Sequence, residues 1–297
     1  MKILLFLSII FSLSFSYGDE FVENLMKELQ ERGESAWWWD KDWWEKGVIK
    51  NVENYEVVVE WVTYYNGDVE IPAMIARPKK EGKYPGVLFL HGRRGLDKYF
   101  QKHVIRLAAR GLVVFAPDLY TGRFIPQFPI EHDYEIEEDA NKGLDYLLKL
   151  PYLSSKKVCV YGLTRGGYYS LKVLVTKERQ KKDIVCFVGY YPHLQDPNAP
   201  EPMQVYRYAE EVEKLDIPIL FFVGEKEQYQ RLRPILMATK FLKEKGKPIK
   251  LIIYPGVGRG FDFRNGDRRT FADDLAAKDA IIRASRFIKE NIEKYSK

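Results

Sequence analysis

Hydrophobic and polar residues change rhythm along this chain. Residues 19–32 place Phe21, Val22, Leu25, Met26 and Leu29 at helical spacing, which predicts an amphipathic helix. From residue 55 the period becomes two. The run YEVVVEWVTYY, the pair Asn66-Gly67 and the run DVEIPAMIARP read as two strands joined by a turn that accepts positive φ. Short apolar runs then alternate with helical patterns. Strands are expected near 86–90, 112–116, 157–161, 184–190, 219–223 and 250–254. Helices are expected near 97–110, 135–149, 166–178, 202–215, 231–245 and 271–295. This alternation implies an α/β architecture, a mostly parallel eight-stranded sheet with helices on both faces. Functional residues in such a sheet gather on loops at the carboxyl ends of the strands.

The beginning of the chain reads differently. Lys2, the apolar run 3–15 and the small residues Ser16 and Gly18 form a signal-peptide pattern, with a cut before Asp19. The run is short for a membrane span, which needs about 20 residues. The expectation is an exported protein, periplasmic or secreted, with no stable membrane span once the signal is removed. Three segments follow: a signal peptide over 1–18, an N-terminal helical Trp-rich arm over 19–50, and a single domain over 51–297. Within the arm, SAWWWDKDWWEKG spreads Trp37, Trp39, Trp43 and Trp44 over more than one helical face. It reads either as a stacking platform for a ligand or as a clamp onto the body.

The 297 residues, 46% of them hydrophobic, suffice for one large core. A net charge of +5 without a basic block gives no support for nucleic-acid binding. No spacing of His, Cys, Asp and Glu suggests a metal, and no glycine pattern suggests a nucleotide cofactor. Cys159 and Cys186 each lie within an apolar run and are expected as buried small hydrophobes, although export would permit a disulfide.

Four expected strands run into conspicuous loops: HGRRG (91–95), PDLYTGR (117–123), GLTRGG (162–167) and PGVGRGF (255–261). In this order they resemble the dienelactone hydrolase family of the α/β-hydrolase fold, from about residue 55 to the C-terminus. That family pairs an APDLY-type strand end with a Gly-x-Cys-x-Gly-Gly elbow and a Tyr-Pro-Gly-x-x-His-Gly-Phe loop. The resemblance puts Thr164 at the nucleophile position, Glu227 (in GEKE) at the acid and Arg259 at the histidine. It implies oxyanion donors from the backbone N–H groups of Arg165 and Arg93. All three triad positions are therefore altered.

The alteration matters chemically. An attacking hydroxyl must pass its proton to a base, and a protonated guanidinium has no acceptor atom. Four histidines remain. His91 opens the HGRRG loop, His103 lies in a surface-type helix, and His132 sits in the long loop beside Asp133. His193 follows a strand that borders the site, and is the candidate for a displaced base, with Asp196 as its partner. Arg259 has two readings: a bidentate ion pair with Glu227, or a member of a positive cleft with Arg93, Arg94, Arg165 and Arg123. The leading expectation is a dienelactone hydrolase-like protein with a degraded triad that binds a small anionic ligand. The alternative is an active carboxylic ester or lactone hydrolase using Thr164 or His193. A third reading is an interaction role for the Trp-rich arm.

Overall fold

A computed structural model describes residues 40–263 and 269–295. The expected helix over 19–32, the signal segment and Trp37 to Trp39 lie outside the described residues.

The hairpin forms as its alternation predicts. Strands β1 (Val57–Asn66) and β2 (Val69–Pro78) pair antiparallel, with Asn66 opposite Val69 and Gly67 in the turn at φ +58°. Six further strands are β3 (Tyr84–Leu90), β4 (Val113–Pro117), β5 (Leu153–Leu163), β6 (Ile184–Tyr190), β7 (Ile219–Lys226) and β8 (Ile249–Gly258). They make one eight-stranded sheet in the order β1-β2-β4-β3-β5-β6-β7-β8. All neighbours from β4 to β8 are parallel, and β2 joins β4 antiparallel.

The helices are α1 (Lys41–Lys46), α2 (Lys98–Ala108), α3 (Ile136–Leu147), α4 (Gly166–Leu171), α5 (Glu201–Tyr206), α6 (Tyr229–Glu244) and α7 (Phe271–Glu293). Two adjacent strands show why they cover both faces. Leu88 of β3 lies opposite Phe115 of β4, whose ring stacks on Tyr146 of α3 at 5.3 Å. Phe89 is one residue further on, so it points to the other face. There it meets Phe100 and His103 of α2. The expected helix near 202–215 is instead α5 and a tight turn over Glu210–Lys214. Tyr206 and Arg207 lead out of α5 into extended backbone, which splits the pattern.

The Trp-rich stretch divides. Trp43 and Trp44 of α1 are buried, and the indole Nε1 of Trp44 donates to Asp274 Oδ1 at 2.9 Å. The Arg106 guanidinium lies over both rings, and its Nη1 donates to the Trp44 carbonyl at 2.9 Å. For these two residues the geometry is that of a clamp.

Two expectations are overturned. Cys159 and Cys186 form a disulfide, not two thiols. Strand register explains it: they lie directly opposite each other on β5 and β6, with Cα atoms 4.7 Å apart, within bridging range. His103 is buried, not on a surface face. Its Nδ1 lies 2.7 Å from Asp262 Oδ2 and its Nε2 2.7 Å from the Tyr161 hydroxyl. This polar network ties α2 to the loop that follows β8.

Candidate functional site

The loop after β5 is built as a sharp strand-to-helix turn. Thr164 stands at its tip with φ +51°, a conformation costly for a β-branched residue. Its amide donates to Tyr190 O at 3.1 Å, and its carbonyl accepts from Gly167 N and His193 N at 3.0 and 2.7 Å. These bonds fasten the turn to the end of β6. Glycine is needed nearby for lack of space: a Cβ on Gly166 would overlap the Leu90 carbonyl, and one on Gly92 would overlap Thr164 Oγ1. The HGRRG loop thus lies directly against the Thr164 hydroxyl.

Among the described residues, Arg259 stands between the acid candidate Glu227 and His193. Arg259 Nη1 lies 3.4 Å from Glu227 Oε1, and Arg259 Nη2 lies 2.6 Å from His193 Nε2. Among the described residues, the expected bidentate Glu227–Arg259 pair is a single contact, and the guanidinium also reaches His193. Glu227 Oε1 also accepts from Gln228 N at 2.9 Å, while buried Oε2 has no partner among the described residues. Burial first, then the charge of Arg259, hold the His193 pKa well below the ordinary imidazole range. His193 is thus neutral, with its Nε2 lone pair committed to Arg259 and its proton on Nδ1. The nitrogen a displaced base would use thus faces Arg259. Asp196 does not serve His193, accepting instead from the Tyr134 hydroxyl and Asn198 N.

The other histidines have local tasks. His91 bridges two loops: Nδ1 donates to Gly92 O at 2.8 Å and Nε2 accepts from Leu119 N at 3.0 Å. Burial lowers its pKa and keeps it neutral. His132 Nε2 lies 3.0 Å from Glu137 Oε1.

The arginines separate into two groups. Arg93, Arg94 and Arg259 line a cleft of about 280 Å³ together with Thr164 and His193. Arg165 and Arg123 do not. Arg165 turns into a neighbouring cavity, where its Nη1 and Nη2 donate to the carbonyls of Glu131 and Ile130 at 3.1 and 3.2 Å. Arg123 pairs with buried Asp139 of α3 and with Glu135 just before that helix, which removes it from the cleft. Arg93 combines both tasks: it faces the cleft while Nε and Nη2 donate to the carbonyls of Pro129 and Phe128 at 3.0 and 2.9 Å. Four side-chain bonds from two arginines thus hold residues 128–131 as a strap beside Thr164.

Sequence reading missed Arg231, Gln228, Phe100, Phe128 and Phe263, all of which line the cleft. Arg231 lies in the first turn of α6, four residues after Glu227. Its position directly after an acid-bearing strand end was the available signal. Burial, followed by repulsion from Arg259 and Arg165, lowers its pKa to about 10, so it remains charged at neutral pH. Among the described residues there is no group of three or more His, Cys, Asp or Glu suited to a metal. Nor, among them, is any helix long and apolar enough to cross a membrane.

A sheet of this order, with a strained elbow after β5 and loops converging from β3, β6, β7 and β8, defines an α/β hydrolase. The sequence profile of the dienelactone hydrolase family matches residues 71–292, and the chain belongs to that family. It is 27% identical to Protein usf of Aquifex pyrophilus over 245 residues, 78% of this chain and 98% of that protein. Among solved structures it resembles brefeldin A esterase, a bacterial homologue of human hormone-sensitive lipase. There the TM-score is 0.64 at 17% identity, covering 83% of this chain and 80% of the other. The hyperthermophilic esterase of the archaeon Pyrobaculum calidifontis gives 0.59 at 18% identity, covering 78% and 85%. At these identities the structural likeness shows the fold alone.

Proposed function

We propose that this protein is an exported member of the dienelactone hydrolase family that binds a small anionic ligand and does not carry out triad hydrolysis. One observation carries the reading: Arg259 lies between Glu227 and His193 and occupies the Nε2 lone pair a base would need. Among the described residues, no hydrogen bond then links Thr164 Oγ1 to a group able to take its proton. The same substitution adds a guanidinium to a cleft already holding Arg93, Arg94 and Arg231, a setting suited to carboxylate or phosphate oxygens. Export is supported by the signal pattern of residues 1–18 and by the Cys159–Cys186 disulfide, which fits an oxidising compartment.

The test pairs two measurements on purified protein. Aryl acetates and unsaturated lactones should show no turnover above that of Thr164→Ala, while small anions should raise the melting temperature in a saturable way. Turnover abolished by Thr164→Ala would refute the reading. It would favour the alternative, an active ester or lactone hydrolase, which the retained elbow geometry supports.

A further inference from the structure

Building on that reading of the cleft, we infer that its ligand is a dianion on an aromatic body, such as an aryl phosphate or an aromatic dicarboxylate, and that Arg231 selects for the second charge. Charge matching carries the argument. Four guanidiniums line the cleft. Among the described residues, carboxylates answer two of them: Asp97 pairs with Arg94 at 2.6 Å and Glu227 with Arg259 at 3.4 Å. The other two meet neutral acceptors. Arg93 donates to the carbonyls of Phe128 and Pro129, and Arg231 Nη1 donates to Gln204 Oε1 at 3.0 Å. Neither Arg93 nor Arg231 has a carboxylate at ion-pair distance among the described residues, and the two repel each other in a partly desolvated space, with buried Glu227 offsetting only part of the charge around Arg231. A monocarboxylate supplies a counter-charge to one of the two guanidiniums, and a dianion supplies one to each.

The walls specify the body. Phe100, Phe128 and Phe263 line the same cavity. The Arg94 guanidinium lies over Phe128 and Phe263, 5.3 and 5.6 Å from the ring centres, which fixes these rings relative to the charge. A cavity of about 280 Å³ suits a single ring with one or two charged substituents.

Calorimetric titration at pH 8 and low salt tests this with phenyl phosphate, phthalate, benzoate, inorganic phosphate and benzyl alcohol. Phenyl phosphate and phthalate should bind at least ten-fold tighter than benzoate, and phenyl phosphate tighter than inorganic phosphate. In Arg231→Gln the ratio of phenyl phosphate to benzoate affinity should fall towards one, while Arg231→Lys, which keeps the charge, should retain most of it. Equal affinity for benzoate and phenyl phosphate in the unaltered protein overturns the dianion inference and leaves the anion-cleft reading standing. A preference that survives Arg231→Gln removes Arg231 from the selection. If no anion binds, both fail.

Discussion

Arg259 Nη2 stands 2.6 Å from His193 Nε2, so the residue at the triad-histidine position also ties up the imidazole that lines the cleft. In the function proposed above, two routes to a general base close with one side chain. Restoring a base should then require changing Arg259 itself. Arg259→His combined with Thr164→Ser supplies an imidazole near Glu227 and a less hindered hydroxyl on a turn that is already formed. We expect hydrolysis of 4-nitrophenyl acetate to rise about 100-fold or more over the unaltered protein, the lower range for a positioned acid–base group. Thr164→Ser alone should give no such gain. Steady-state rates of the three proteins decide the matter.

The same histidine predicts a pH response. His193 is buried and its folded pKa lies well below the ordinary value, and burial lowers that of His91 too. On unfolding, each regains a pKa of about 6.5. Below that pH the unfolded chain binds more protons than the folded one, so stability falls as the pH drops. The slope is up to about 1.4 kcal/mol per pH unit for each such histidine, and it persists until the folded pKa is reached. Urea midpoints measured from pH 8 to 5 should decline below about 6.5, and His193→Gln should flatten the decline by about one proton.

Thr164 holds φ +51°, a region that favours Asn and Gly over β-branched residues. Thr164→Asn should therefore stabilise the protein by about 1 kcal/mol, the lower end of the cost of such strain. Gly166→Ala should do the opposite, since its Cβ would collide with the Leu90 carbonyl. Melting temperatures of the two variants should move in opposite directions.

The Cys159–Cys186 bridge spans a sequence separation of 27 residues, and both ends are fully buried. Closing a loop of that length contributes about 3–4 kcal/mol in the chain-entropy view. Cys159→Ala with Cys186→Ala should lower the urea midpoint accordingly. Thiol titration should find no free cysteine in the native protein, and two after denaturation with reductant.

The sheet was legible because its strands and helices have different hydrophobic periods, which survive without knowledge of tertiary contacts. The hairpin at Asn66-Gly67 and the runs from β3 to β8 were read to within a few residues. The family pattern of strand ends pointed to Thr164, Glu227 and Arg259, and the structure puts Thr164 at the tip of the turn and Arg259 3.4 Å from Glu227. Partners were not. Whether Cys159 meets Cys186 depends on strand register, and whether Arg165 and Arg123 face the cleft depends on which carbonyl or carboxylate lies within reach. His103 shows the same limit: helical spacing gave its helix, while its burial comes from Asp262, 159 residues away. Arg231 escaped because a helix-forming arginine looks like solvated charge until α6 is docked.

Arg93 and Arg165 grip the strap through the carbonyls of Phe128, Pro129, Ile130 and Glu131, groups that every amino acid supplies. The bonds themselves therefore use no side chain of the strap. Side chains at 130 and 131 can be exchanged without touching these bonds, and Phe128 at the cleft wall can be replaced by residues that tolerate its φ of +60°. Such an arrangement separates the evolution of selectivity from that of architecture. It makes this four-residue segment the natural place to randomise when retuning what enters the cleft.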